Sequence, residues 1–252
     1  MTHTSRNPWL VRWQKDEVVR LRLFCFPYAG GSAWSFCSWQ QDLPAGVEVC
    51  GIELPGRATR QSETPYARLS TLNEAMTEAL LPCLDKPFAL FGHSMGALIA
   101  FEFARYLRRK HRLVPRHLFV SGRRTPQIPY RERRTYDLSD EDFIQDLLLD
   151  GPAEYALDPQ LVRLLLPMMR ADFEVVQTYV YEPGLPLLCP ITVFGGLQDH
   201  SVSSEELHEW RHQTTGSYSV VMLPGDHFFI KTAQRELLRA MSQELDQLVK
   251  SI

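Results

Sequence analysis

One serine between two glycines limits what this chain can fold into. Gly92-His93-Ser94-Met95-Gly96 stands directly after the apolar run Phe88 to Phe91 and directly before Ala97 to Lys110, which contains no helix breaker. A chain that turns so abruptly from strand to helix needs small residues where backbone crosses backbone, and G-x-S-x-G supplies them on both sides of the serine. With 14 glycines in the chain, chance gives about 0.05 such matches, and requiring a strand before and a helix after lowers that further. In this setting Ser94 Oγ is held out at a helix N-terminus, where the macrodipole and free N–H groups favour developing negative charge. The Met95 amide is the first donor expected there.

The rest of the chain supplies the frame such a turn belongs to. Apolar runs recur at Leu21 to Phe26, Val47 to Leu54, Phe88 to Phe91, His117 to Val120, Ile191 to Phe194 and Ser219 to Leu223. Most are apolar on both faces and end in Gly or Pro, as inner strands of a mostly parallel sheet do when helices cover both sides. Helical patterns lie between them, clearest in Leu237, Leu238, Met241, Leu245, Leu248, Val249 and Ile252, whose spacing marks one buried face. This alternation predicts a doubly wound α/β domain. From about 123 to 186 no strand pattern appears, and Asp140 to Leu149 and Pro159 to Tyr179 read as helices. They predict a helical insertion, a candidate lid, within a single domain over 1–252.

A serine hydroxyl needs a base, and the base needs an orienting acid. Asp199, in Phe-Gly-Gly-Leu-Gln-Asp, and His227, in Leu-Pro-Gly-Asp-His-Phe-Phe, follow in the chain order Ser, Asp, His. Each lies just past a strand, at the sheet edge that carries Ser94. His200 and Asp226 are the rivals, and each stands next to the partner it would need, where the two side chains cannot easily face each other. A second oxyanion donor is expected from the glycine loop Phe26-Pro27-Tyr28-Ala29-Gly30-Gly31-Ser32.

Composition narrows the function classes. The 252 residues are 44% hydrophobic and 23% charged with a net charge of -3, so no general affinity for nucleic acid is implied. The first twenty residues are charged and lack an apolar h-region, and the longest uncharged stretch is broken by Gly92, His93 and Gly96. A cytoplasmic protein with no secretory leader and no membrane span is therefore expected. The five cysteines, Cys25, Cys37, Cys50, Cys83 and Cys189, are scattered without a C-x-x-C pair and read as small core residues.

Two further signals compete. His208-Glu209-Trp210-Arg211-His212 matches the zinc-protease pattern H-E-x-x-H. It follows Ser203-Ser204-Glu205-Glu206, a capping-box start, and Leu207 and Trp210 give it an apolar stripe, so a surface helix is expected and no metal site. From Arg105 to Arg134 there are eleven Lys or Arg against the single acid Glu132. Such a run is ordinarily a solvated surface, and its sharper reading is a dock for an acidic partner, tested by reversing Arg108, Arg109 and Arg112.

Taken together, these residues resemble the type II thioesterases, stand-alone α/β hydrolases that accompany polyketide synthases and nonribosomal peptide synthetases. The likeness runs nearly the whole chain. It rests on Phe24-Cys25-Phe26-Pro27-Tyr28-Ala29-Gly30-Gly31, Leu54-Pro55-Gly56-Arg57 with Arg60, the serine turn, and Leu166-Pro167-Met168-Met169-Arg170-Ala171-Asp172-Phe173. Gly195-Gly196 before Asp199 and Gly225-Asp226-His227-Phe228-Phe229 complete it. The resemblance implies the α/β-hydrolase fold, oxyanion donors at Met95 and Ala29, a mobile lid over 123–186 and no cofactor. It implies as substrate an acyl group on the phosphopantetheine arm of an acyl or peptidyl carrier protein. Leu149-Asp150-Gly151-Pro152 is the least typical stretch. A general carboxylesterase or medium-chain fatty acyl thioesterase is the alternative, and Phe-Pro-Tyr-Ala-Gly-Gly in place of an HGGG-type loop weighs against the carboxylesterase. The self-contained pattern predicts a monomer.

Overall fold

The computed structural model describes residues 7–13, 18–130, 133–150 and 159–252, with backbone alone at 148–150 and 159–161. Seven strands form one sheet: β1 (Leu10–Arg12), β2 (Leu21–Phe26), β3 (Val47–Ile52), β4 (Phe88–His93), β5 (Leu118–Ser121), β6 (Ile191–Gly196) and β7 (Tyr218–Leu223). Their order is β1-β3-β2-β4-β5-β6-β7. Every pair is parallel except β1 with β3, where Leu10 lies opposite Ile52 and Arg12 opposite Cys50. The six apolar runs are all strands, and β1 is the addition. Three residues, of which only Leu10 is buried, carry no periodicity to recognise.

Eight α-helices accompany the sheet: α1 (Trp39–Asp42), α2 (Leu69–Leu80), α3 (Met95–His111), α4 (Asp140–Asp150), α5 (Pro159–Gln177), α6 (Ser204–His208), α7 (Phe229–Thr232) and α8 (Gln234–Ser251) among the described residues. The period-two alternation of β2 and β4 feeds two cores. Phe24, Phe26, Phe88 and Leu90 join Leu72, Met76 and Phe101 of α2 and α3 on one face. Leu23, Cys25, Ala89 and Phe91 join Trp39, Leu237, Met241 and Leu245 of α1 and α8 on the other. Burying side chains of this size contributes about 1.5–3 kcal/mol each, which is why short parallel strands hold their register here. None of the helices among the described residues is long and apolar enough to cross a membrane.

Between β5 and β6 the expected helices α4 and α5 pack on each other. Phe143, Leu147, Val162, Leu166 and Met169 form a third cluster, apart from the two cores. Val175, nearer the end of α5, belongs to the sheet core instead, so this helix spans both. Gly151 and Pro152 of the atypical stretch lie outside the described residues.

The cysteine expectation needs one correction. Cys25, Cys50 and Cys189 are buried and Cys83 is partly so, but Cys37 is exposed, at the end of a 3-10 turn.

Candidate active site

The turn after β4 has the geometry its sequence requires. Ser94 has φ 53° and ψ -114°, a backbone conformation costly for any side-chain-bearing residue. An ideal Cβ on Gly92 would lie 2.1 Å from the Gly96 carbonyl oxygen, and one on Gly96 would lie 2.1 Å from that of Phe26. The elbow is thus locked against its own helix on one side and against the glycine loop on the other. The Ser94 amide donates to Ser121 O at 2.8 Å, anchoring the turn to β5.

Ser94, His227 and Asp199 meet at the carboxyl edge of the sheet, from the ends of β4, β7 and β6. His227 Nδ1 lies 2.8 Å from Asp199 Oδ2, and His227 Nε2 lies 3.0 Å from Ser94 Oγ. Burial alone would raise the Asp199 carboxyl, but the hydrogen bond and charge of His227, with the Ser201 donors, hold it below the ordinary carboxylate range. An ionised Asp199 must accept, so Nδ1 carries the proton and Nε2 is left to accept from the serine hydroxyl.

Ser201 was not legible as a site residue. Its amide and hydroxyl donate to Asp199 Oδ1 at 2.9 and 2.6 Å, and its Oγ lies 3.1 Å from His227 Nδ1. The signal was present in Asp199-His200-Ser201, the spacing of an Asx turn. His200 is exposed in that turn. Asp226 is also exposed and spends Oδ1 on the Phe228 amide at 2.8 Å. Neither rival joins the serine.

Rings pack around the imidazole of His227. Phe228 meets it edge-on at 5.5 Å, and His93 sits 5.2 Å away. Burial holds His93 well below the usual histidine range, and protonation of His227 beside it would push the same way, so His93 stays neutral. Its Nδ1 lies 2.9 Å from Ser121 Oγ.

The glycine loop stands beside the elbow. Gly31 N–H donates to Tyr28 O at 2.9 Å, and Gly30 has φ 77°, which makes Tyr28 to Gly31 a type II turn with glycine at its third position. Met95, the first residue of α3, has no intrahelical acceptor for its amide. Among the described residues the Gly30 and Gly31 amides are spent inside the protein, whereas that of Ala29 is not.

The competing signals resolve differently. The capping box of Ser203 and Glu206 is present, but α6 ends at His208 and His212 falls in a 3-10 turn. Trp210 is buried edge-on against Phe101, with Nε1 donating to Arg123 O at 2.7 Å. The basic run divides in two. Helix α3 is 17 residues long, so its last turn, with Arg108 and Arg109, ends about 25 Å from Ser94. Arg105 there pairs with Glu102 at 2.6 Å and Arg108 with Pro186 O. The second half, from Arg123 on, leaves β5 at the Ser94 edge, and Arg133 and Arg134 are exposed.

Comparison with known proteins gives this geometry its family. Residues 21–245 match the family model for the thioesterase domain. The gramicidin S biosynthesis protein GrsT of Aneurinibacillus migulanus is 46% identical over 248 residues, covering 97% of each chain. Among solved structures, the RedJ thioesterase from the prodiginine pathway of Streptomyces coelicolor is 39% identical with a TM-score of 0.85, covering 93% of this chain and 90% of that one. The type II thioesterase BorB from the borrelidin biosynthetic cluster is 30% identical with a TM-score of 0.86, covering 97% and 98%. A serine held at a strained strand-to-helix turn and hydrogen-bonded through histidine to aspartate thus sits in a chain that belongs, over nearly its whole length, to the type II thioesterases, hydrolases of acyl thioesters with the α/β-hydrolase fold.

Proposed function

We propose that this chain is an editing thioesterase, releasing misprimed or stalled acyl groups from the phosphopantetheine arm of an acyl or peptidyl carrier protein. The observation that carries the reading is the continuous hydrogen-bond chain from Ser94 through His227 to Asp199. The pathway names of its relatives support the substrate class.

In this mechanism Ser94 Oγ attacks the thioester carbonyl as His227 Nε2 takes its proton, and Asp199 stabilises the imidazolium that forms. The Met95 and Ala29 amides bind the oxyanion. Collapse of the tetrahedral intermediate breaks the C–S bond, and the thiolate leaves with the proton from His227. Water then attacks the acyl-serine, giving its proton to the same imidazole, and the free acid departs while Ser94 is reprotonated. A serine-directed fluorophosphonate is expected to label Ser94 in the wild type and nothing in Ser94→Ala. A wild type that resists labelling would overturn the assignment.

The carrier would approach the sheet edge that bears Ser94, under the helical insertion 123–186 acting as a lid. In this reading its acidic surface is received by the exposed Arg133 and Arg134, on the segment that follows the Ser94 edge of β5, and not by the remote end of α3. Reversing Arg133 and Arg134 is expected to lower kcat/KM on a loaded carrier at low salt by about tenfold. The triple reversal of Arg108, Arg109 and Arg112 is expected to leave it unchanged. The opposite result would put the dock on the far end of the helix. The same reading has the enzyme act as a cytoplasmic monomer, for which light scattering should return the 29.0 kDa mass of one chain.

A further inference from the structure

A buried ion pair outside the serine-histidine-aspartate chain ends on the glycine loop. Arg57 Nη2 donates to Asp172 Oδ1 at 2.7 Å, and Arg57 Nη1 donates to Asp172 Oδ2 at 2.9 Å, a two-pronged pair. Both residues are nearly inaccessible, at 3% and 2% exposure. Their remaining bonds go to the backbone of two consecutive loop residues. Asp172 Oδ2 accepts the Gly30 N–H at 2.8 Å, and Arg57 Nη1 donates to the Gly31 carbonyl at 2.9 Å.

Burying two charges is expensive, and an apolar pair of equal volume commonly serves stability as well or better. What the ion pair supplies here is direction. The Gly30 amide is turned into the carboxylate, so it cannot serve an oxyanion. The Gly31 amide closes the turn on Tyr28 O. In the trans peptide between Tyr28 and Ala29, the carbonyl and the N–H point opposite ways. With the Tyr28 carbonyl aimed into the turn, the Ala29 N–H must aim out of it. The loop lies against the elbow, since a Cβ on Gly96 would touch the carbonyls of Phe26 and Pro27 at 2.1 and 2.7 Å.

We propose that Arg57 and Asp172 are positioning residues for the oxyanion site, fixing the peptide planes of the 28–31 loop so that the Ala29 amide faces the reacting carbonyl oxygen. The inference rests on the assignment of Ala29 as an oxyanion donor. It gives the Leu54-Pro55-Gly56-Arg57 segment and the Asp172 segment of α5 one task, although the two residues stand 115 apart in the chain. It also ties the loop to α5, a helix of the candidate lid, so that a shift of α5 would withdraw the acceptor from Gly30.

Three variants test it, each assayed for kcat and KM on an acyl-N-acetylcysteamine thioester. Each is also assayed for inhibition by an acyl trifluoromethyl ketone, whose hemiketal on Ser94 carries the oxyanion. Arg57→Lys keeps the charge and loses the fork. Asp172→Asn keeps the shape and loses one acceptor, and serves if the lysine variant does not fold. Ala29→Pro replaces the N–H by a ring methylene, at the turn position where proline is at home. Losing an oxyanion donor costs about 10²–10³ in kcat, and a displaced one is expected to cost about 10–10². The expected result is a fall in kcat in all three with KM little changed. Ketone affinity should fall in parallel, and the pKa of the hemiketal oxygen should rise. A merely structural pair would lower Tm without moving that pKa. If Ala29→Pro slows the enzyme while folded Arg57→Lys and Asp172→Asn keep the wild-type kcat and hemiketal pKa, the positioning role is overturned. If Ala29→Pro itself runs at the wild-type rate, the oxyanion assignment beneath it fails.

Discussion

Replacing Gly92 by alanine probes the contact on which the serine turn depends. The added Cβ would meet the Gly96 carbonyl oxygen at 2.1 Å, its carbon at 2.3 Å and Ala97 N at 2.5 Å. All three are backbone atoms of the first turn of α3, so no side-chain rotation relieves the clash. Ordinary contact is restored only if the end of β4 and the start of α3 separate by about 1 Å. Overpacking of this kind costs about 1–3 kcal/mol, which for a chain of this length lowers Tm by roughly 2–12 °C. The same movement displaces Ser94 Oγ, which lies 3.0 Å from His227 Nε2. A misplacement near 1 Å costs on the order of 10²-fold in rate. Gly92→Ala should therefore stay folded at 25 °C and lose most of its kcat, read as thiol release from an acyl thioester beside a thermal melt. A variant with wild-type Tm and a kcat within about twofold of wild type would refute the claim that close approach at residue 92 sets the serine.

Other perturbations test other parts of the site and frame. Ser201→Ala removes one of two donors to Asp199 Oδ1, and at about 1 kcal/mol should lower kcat about fivefold with KM unchanged. No change would show that the Ser201 amide suffices. Glu53 is fully buried, and burial pushes its carboxyl up to about 7, with Arg57, the Ala33 amide and Arg60 pulling the other way. Its raised folded value means its contribution is intact below the unfolded pKa near 4.5 and is lost as pH rises through 7. In Glu53→Gln that loss is absent, so stability relative to wild type should rise by up to roughly 3 kcal/mol between pH 4.5 and 8 in urea titrations. A pH-independent difference would show that Glu53 is ionised throughout. His117, buried and pushed down to about 4 by burial, acts in the opposite sense. Its contribution is present above about 6.5 and lost as pH falls through 4, so His117→Gln should flatten the acid side of the stability profile.

Much of this was legible because the physics is local. Leu21–Phe26 and Phe88–His93 are apolar on both faces, and only an inner parallel strand buries both. The serine turn announces itself through the glycines that backbone crossing demands, and Asp199 and His227 through their places just past strands. What escaped was set by tertiary context. Strand β1 exists because Leu10–Arg12 completes an edge beside β3, and nothing in three residues says so. The H-E-x-x-H segment read as one helix, yet burying Trp210 against Phe101 goes with a tighter turn after His208. Arg57 and Asp172 stood in view as motif residues, but their pairing joins segments far apart in sequence, and no periodicity links a loop to a distant helix. The basic run looked like one surface because charge can be counted along a chain while distance cannot.

The central claim is that Ser94 releases acyl groups from a carrier-bound thioester. It is tested most directly by measuring free acid from acetyl- and longer acyl-loaded carrier protein, beside the matching acyl-CoA and p-nitrophenyl ester, for wild type and Ser94→Ala. The account predicts fastest release from the carrier and its disappearance in Ser94→Ala. Preference for the simple ester, or release that survives the loss of the Ser94 hydroxyl, would contradict it.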